Sequence, residues 1–224
     1  MTLRQISVRL ENTKKRAIKM TMARTKLAAV FLLFLITSCT TPLAYNPEFE
    51  GTLAPIPGAQ LSGRGVILTT EVDDNYVFAG GPTSFTGAAT NISIPLGLIT
   101  KEIAQHAFER MFREGVVQTR NLDSISNYEI VITPRVTNFS YAYNQMKNAG
   151  ILVTPQIDMS ISVDIFDSEK NNIRSNIFTS GTKDGDSYAF SANPAERINR
   201  LAHEVVTELL NQAASDVYYL IVNK

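Results

Sequence analysis

One cysteine, Cys39, and two histidines, His106 and His203, are all the thiol and imidazole that the 224 residues supply. A thiolate nucleophile needs a neighbouring base, and no base-bearing motif surrounds Cys39. The histidines stand alone, outside any H-E-x-x-H or Cys–His cluster, so no zinc site is expected. Each is expected on a helix, exposed or half-buried beside an apolar stripe. Gly80-Gly81-Pro82 lacks the lysine of a phosphate loop, and no G-x-S-x-G, Walker or S-x-x-K pattern occurs. The tight carboxylate pairs are Asp73-Asp74 and Asp184-Gly185-Asp186. The second lacks the remaining ligand spacing of a calcium loop, and ordinary turn chemistry accounts for both. Asp158 and Asp164 share one face of a predicted strand but stand about 20 Å apart, too far for a glycosidase pair. A catalytic cleft would have to be built from Asp73, Asp74 and the 79–97 loop. The expectation is a protein that is not an enzyme and carries no cofactor or metal.

The position of Cys39 suggests another role for its sulfur. Residues 1–38 hold eight of the 21 basic residues and one of the 21 acidic ones, then the apolar run Leu27–Ile36, LAAVFLLFLI. This is the secretory pattern, and the run falls well short of the roughly twenty residues that span a bilayer. Met20 and Met22 both precede ARTK, so residues 1–19 are open to being a misassigned start. Leu35-Ile36-Thr37-Ser38-Cys39 resembles the lipobox of bacterial lipoprotein precursors: a branched apolar residue three before the cysteine, small residues between. The resemblance implies cleavage before Cys39, a diacylglyceryl thioether on its sulfur and a third acyl chain on the new N-terminus. Two or more chains anchor stably where one does not. Thr40 stands where aspartate would signal inner-membrane retention, so the resemblance implies the outer membrane, lipid-anchored and facing the periplasm.

Without residues 1–38 the chain has 13 basic and 20 acidic residues, net −7. That excludes nucleic acid as an expected partner. Residues 39–63, the candidate lipidated cysteine and the Pro- and Gly-bearing stretch after it, read as a tether or an irregular strap. Residues 64–224 read as a single α+β periplasmic domain. A strand is predicted at 65–72, a loop at 79–97 and a helix from Thr100 to Glu114, ended by Gly115. Three strands follow in series. The first, Tyr128–Tyr143, changes phase near Thr137–Asn138, which predicts a bulge. The second, from Ile151 to Ile165, alternates apolar odd positions with polar even ones, predicting one buried and one wet face. The third is Ile173–Thr182. The closing helix is capped by Asn193, has Pro194 at its first position and Glu196 at capping-box spacing, and reaches Leu220. The order β-α-β-β-β-α predicts a two-layer sandwich, a four-stranded mostly antiparallel sheet with two helices on one face. In element order it resembles YajG-like and, more loosely, LptE-like small periplasmic lipoproteins, a likeness that supplies no site residues.

Five residues are candidates for contact with a partner. Phe85 and Ile94 are apolar residues in the long uncharged loop: exposed, they would act as interface anchors; turned in, they would tuck the loop onto its own domain, and both readings stand open. Phe139, Tyr141 and Tyr143 share one face of a strand. Turned outward they would form an aromatic patch, turned inward they would be core, and core is the preferred reading. The functional expectation is a membrane-anchored, non-catalytic binding or assembly factor of the cell envelope. Its partners would be the membrane, through the lipid on Cys39, and an envelope protein, a glycolipid such as lipopolysaccharide, or peptidoglycan. The alternative is a structural subunit of a larger envelope machine, a secretion or flagellar apparatus.

Overall fold

The strongest periodicity in the chain forms the spine of the fold. In a computed structural model describing residues 40–86, 90–144, 152–189 and 193–223, Leu152–Asp167 is a 16-residue strand at the centre of an antiparallel meander. Cys39, the 1–38 segment and Ile151 lie outside the described residues. In chain order the elements are β1 (Thr40–Pro42), β2 (Gly65–Leu68), α1 (Glu71–Asp74), β3 (Phe78–Gly80), β4 (Asn91–Ile94), α2 (Leu96–Glu109) and β5 (Val116–Thr119). Then come β6 (Ile130–Asn144), β7 (Leu152–Asp167), β8 (Asn172–Asp184), β9 (Tyr188–Ala189) and α3 (Pro194–Val222).

The four-stranded, mostly antiparallel sheet with two helices is not what forms. Among the described residues nine strands make two mixed sheets, and there are three α-helices. The larger sheet runs β5-β2-β6-β7-β8, with β9 paired to β7, and β2 is parallel to both of its neighbours. A separate three-stranded sheet, β1-β4-β3, pairs β1 parallel and β3 antiparallel to β4. The strands that the period-two pattern did not reveal, β1, β3, β4, β5 and β9, are two to four residues long. So short a run carries too little alternation to separate it from a loop.

In β7 the odd positions Val153, Ile157, Met159, Ile161, Val163 and Ile165 are all buried. They face helices α2 and α3, which pack on this side of the sheet and on each other. The opposite face carries cross-strand polar pairs: Arg135 with Asp164, Asn138 with Asp158, Gln156 with Asp184. Thr154 and Ser160, at even positions, are nonetheless buried, Ser160 sharing a hydrogen bond with Thr179. The register of β6 on β7 shifts between Val136 and Asn138. That bulge is why Ile130 and Ile132 before it, and Phe139, Tyr141 and Tyr143 after it, all reach the core from opposite sequence phases.

Helix α2 starts four residues before the expected Thr100, directly after Pro95, and ends at Glu109. Its start depends on Gly97: a Cβ there would lie 2.0 Å from the carbonyl oxygen of Asp73. Its end is set by Leu61, whose N–H donates to the Met111 carbonyl and whose carbonyl accepts from Arg113 N–H. Gly115, at φ +69°, then turns the chain into β5. Helix α3 has the predicted Asn193 cap and Pro194 start. Among the described residues no helix is long and apolar enough to cross a membrane.

Candidate functional site

The five candidate contact residues gather at and beneath one loop, but only one of them faces solvent. Strand β3 ends at Gly80, β4 begins at Asn91, and residues 81–90 join them. Tyr141 lies under the base of this loop. Its hydroxyl reaches the Gly80 carbonyl at 3.2 Å at one end and the Thr90 carbonyl at 2.5 Å at the other. Burial pushes this phenol up to about 12. The Tyr141 carbonyl accepts from Thr83 N–H (2.8 Å) and from the Thr83 hydroxyl. Tyr143 N–H donates to Ser84 Oγ (2.8 Å), whose own proton goes to the Thr86 carbonyl. Phe139 and Tyr141 pack edge-on against Phe78 at ring-centroid distances of 4.8 and 5.9 Å, and Tyr143 against Tyr141 at 5.8 Å. All three are buried, so the inward reading of FSYAY is the observed one and no outward aromatic patch exists here.

Ile94 is also buried, at 0% exposure, because β4 alternates Ile92 and Ile94 inward with Asn91 and Ser93 between them. Of its two open readings the inward one is observed; it belongs to the core. Phe85, by contrast, is 97% exposed. The aromatic column thus holds a pinned loop whose tip presents a bare phenylalanine.

The Asp73-Asp74 pair lies at the other end of β3. Asp73 closes a capping box with Thr70 at the start of α1. The Asp74 side chain is only 6% exposed and receives the Arg120 guanidinium (Nε to Oδ2, 2.6 Å), with Lys101 at 3.8 Å. Burial raises its pKa, but the hydrogen bonds from Thr69 and Arg120 and the charges of Lys101 and Arg120 outweigh that and hold it below the usual carboxylate range. A cleft of about 170 Å³ opens beside it, lined among others by Val72, Tyr76, Thr100, Lys101 and Arg135. That is below the several hundred Å³ of typical small-molecule pockets. Val72 and Tyr76 in its lining are exposed, as are Val77, next in the chain, and Leu98 in the first turn of α2, whose neighbour Gly97 lines the cleft; together they form an apolar corner. Among the described residues no group of three or more His, Cys, Asp or Glu side chains could hold a metal.

The two histidines do something the sequence reading missed. His203 is fully buried, not half-exposed. Its Nδ1 donates to the Asn199 carbonyl (2.8 Å) and its Nε2 accepts from Asn46 N–H (3.1 Å), which defines a neutral ring with both nitrogens used. Tyr45 stacks on it at 5.6 Å. The segment that read as tether or strap in fact lies along α3. Asn199 Nδ2 donates to the Ala44 carbonyl, Gly51 N–H to Thr207 Oγ1, and Ala54 N–H to Asn211 Oδ1, whose Nδ2 donates back to the Thr52 carbonyl. Asn199, His203, Thr207 and Asn211 stand four apart, one above another on a single helix face. That spacing was the signal available. On the α2 side His106 Nδ1 meets Glu50 Oε2 at 3.0 Å, the Tyr45 hydroxyl donates to Glu50 Oε1, and Arg110 donates to the Leu53 and Ala54 carbonyls. Both histidines therefore clamp a strap between two helices.

No protein-family model matches the chain and no curated protein matches it. Several solved structures do. A Xanthomonas campestris protein of the DUF330 family is 14% identical, with a TM-score of 0.46, over 80% of this chain and 93% of that one. A neuraminyllactose-binding hemagglutinin homolog from Helicobacter pylori is 11% identical, with a TM-score of 0.38, over 78% and 97%. A minor lipoprotein from Acinetobacter baumannii is 10% identical, with a TM-score of 0.31, over 72% and 91%. Likenesses of this depth carry no function across to this chain.

Proposed function

We propose that this protein is a lipoprotein of the bacterial envelope, anchored to the outer membrane through lipid on Cys39, that binds or helps assemble a periplasmic partner and catalyses no reaction. The observation that carries the anchor is the signal-like segment ending in Leu35–Cys39, immediately before Thr40, the first residue of β1. The partner surface follows from the apolar corner. Val72 is 81% exposed and Val77 48%; Val72 and Tyr76 line the cleft, and exposed Leu98 follows Gly97 of the same lining. Apolar residues grouped on a rigid element and rimmed by charge suit a protein interface. Lys101, Arg120 and Arg135 supply such a rim.

Two variants test the proposal. Cys39→Ser is expected to take up no radiolabelled palmitate and to accumulate as precursor or soluble product. Continued labelling rejects the anchor. Val72→Glu with Leu98→Glu changes only exposed positions and is expected to leave the melting temperature within a few degrees. It is also expected to remove the envelope protein that cross-links to the parent chain. Full recovery of the same cross-link rejects the corner as the interface. A parent chain found in one discrete large complex identifies the partner as an envelope machine and this protein as its structural subunit.

A further inference from the structure

We propose that Phe85 enters the lipid bilayer beside the acylated cysteine, so that the 81–86 loop is a second, protein-borne membrane contact. The inference rests on the anchor proposed above and extends it to a surface of the folded domain.

The register of the small sheet carries the argument. Thr40 pairs with Asn91, and Ile92 pairs with Gly80. The first residue of β1 and the last of β3 therefore sit at the same end of one three-stranded sheet, on its two outer strands. Neighbouring strands are about 4.8 Å apart, which puts Thr40 within roughly 10 Å of Gly80. Gly81 continues past the same end, where a Cβ would lie 2.8 Å from Asn91 Oδ1. Cys39 is the residue before Thr40, one Cα step of about 3.8 Å away. No spacer separates a lipid on Cys39 from this end of the sheet.

The loop at that end has the character of a lipid contact. Thr83 and Ser84 are pinned to β6 through Tyr141 and Tyr143, so Phe85 is displayed by fixed backbone. The ring is 97% exposed, an unusual cost for a side chain of this size when nothing covers it. From Asn75 to Thr100 the chain has no charged residue, so nothing near Phe85 in sequence resists the headgroup region. Phenylalanine is among the apolar side chains that surface-bound segments bury at the headgroup–acyl boundary. A phospholipid surface is the chosen occupant because an anchor at Cys39 would bring that surface to this end of the sheet.

The chain has no tryptophan, so Phe85→Trp makes a single reporter and Ile177→Trp, at a 69% exposed position in β8, makes its control. Each full-chain lipidated protein is reconstituted in phosphatidylethanolamine–phosphatidylglycerol vesicles, with and without bromine on the acyl chains. The residue 85 reporter is expected to emit at shorter wavelength and to lose most of its emission to brominated lipid, the residue 177 reporter to do neither. A palmitate-labelled, vesicle-bound protein whose residue 85 reporter is no more quenched than the control overturns the inference while leaving the anchor intact. A reporter that shifts only when envelope proteins are restored also overturns it, in favour of a protein occupant. A chain that takes up no palmitate overturns the anchor and this contact together.

Discussion

Ile161→Asp is expected to unfold the domain or leave it marginal, whereas Ser162→Asp, the next residue, is expected to change stability little. Ile161 is at 0% exposure in the middle of β7, between Val136 on β6 and Phe178 on β8, in the layer that meets the helices. A carboxylate there loses the apolar contacts and brings a charge with no partner into that layer. The combination costs about 4 kcal/mol or more, a large share of a typical domain's 5–15. Ser162 points to the wet face, opposite Arg135. A carboxylate at that position stays within about 0.5 kcal/mol of the parent. Ser160 differs from Ser162: it is buried and bonded to Thr179, so Ser160→Asp is expected to fall between the two. Urea denaturation of the three variants checks the order. Equal losses at 161 and 162 would show that the second face of the sheet is covered too.

The second large effect belongs to His203. Burial, opposed by the Asn199 hydrogen bond and the Glu50 charge, lowers the pKa of this histidine below its ordinary 6.5. Between that lowered value and 6.5 the unfolded chain binds the proton and the folded chain does not. Stability from this group is therefore complete above about pH 6.5 and falls as the pH drops below it, because unfolding takes up a proton. The ring cannot be protonated in place without taking the acceptor from Asn46 N–H. His203→Leu keeps the apolar volume but strands that donor and the Asn199 carbonyl, an expected loss of about 1–3 kcal/mol at pH 7.5. Chemical denaturation at pH 7.5 and at pH 5 checks both parts. The gap between parent and variant should be wide at pH 7.5 and narrower at pH 5. A constant gap would mean that His203 does not titrate in this window.

What was legible in the sequence follows from element length. Strand β7 alternates over 16 residues, β6 shows its bulge as a phase change, and Asn193-Pro194 marks the start of α3. Each is a pattern long or chemically distinct enough to survive without knowledge of its neighbours. The small sheet is not. NISI at 91–94 holds two alternations inside a stretch rich in Gly, Thr and Ser, and its strand character depends on β1 and β3 pairing on either side. The same gap left Ile94 open between exposed anchor and packed residue, and β4 turns it inward. Phe85 was legible as a loop aromatic. That its loop leaves the small sheet at the end where Thr40 enters was not, because Thr40 and Gly80, 40 apart in sequence, are brought to one end only through sheet register. Asn199, His203, Thr207 and Asn211 were visible as a four-residue spacing, but their partner was a segment with no period of its own.

The clamp of residues 44–59 on helix α3 also orders the events of folding. Its hydrogen bonds join residues 155 to 159 apart in sequence. A chain made from its N-terminus presents the strap first and the helix that receives it last. Through that interval Leu53 and Ile56, which pack against the finished core, lack the helix that completes it. Closing so long a loop is entropically slow, and non-local contacts of this kind form late. The seam is thus the final step of assembly, and it is shared by the two ends of the domain. Cutting α3 before Asn199 and trimming residues 40–59 are expected to remove the two sides of this one seam.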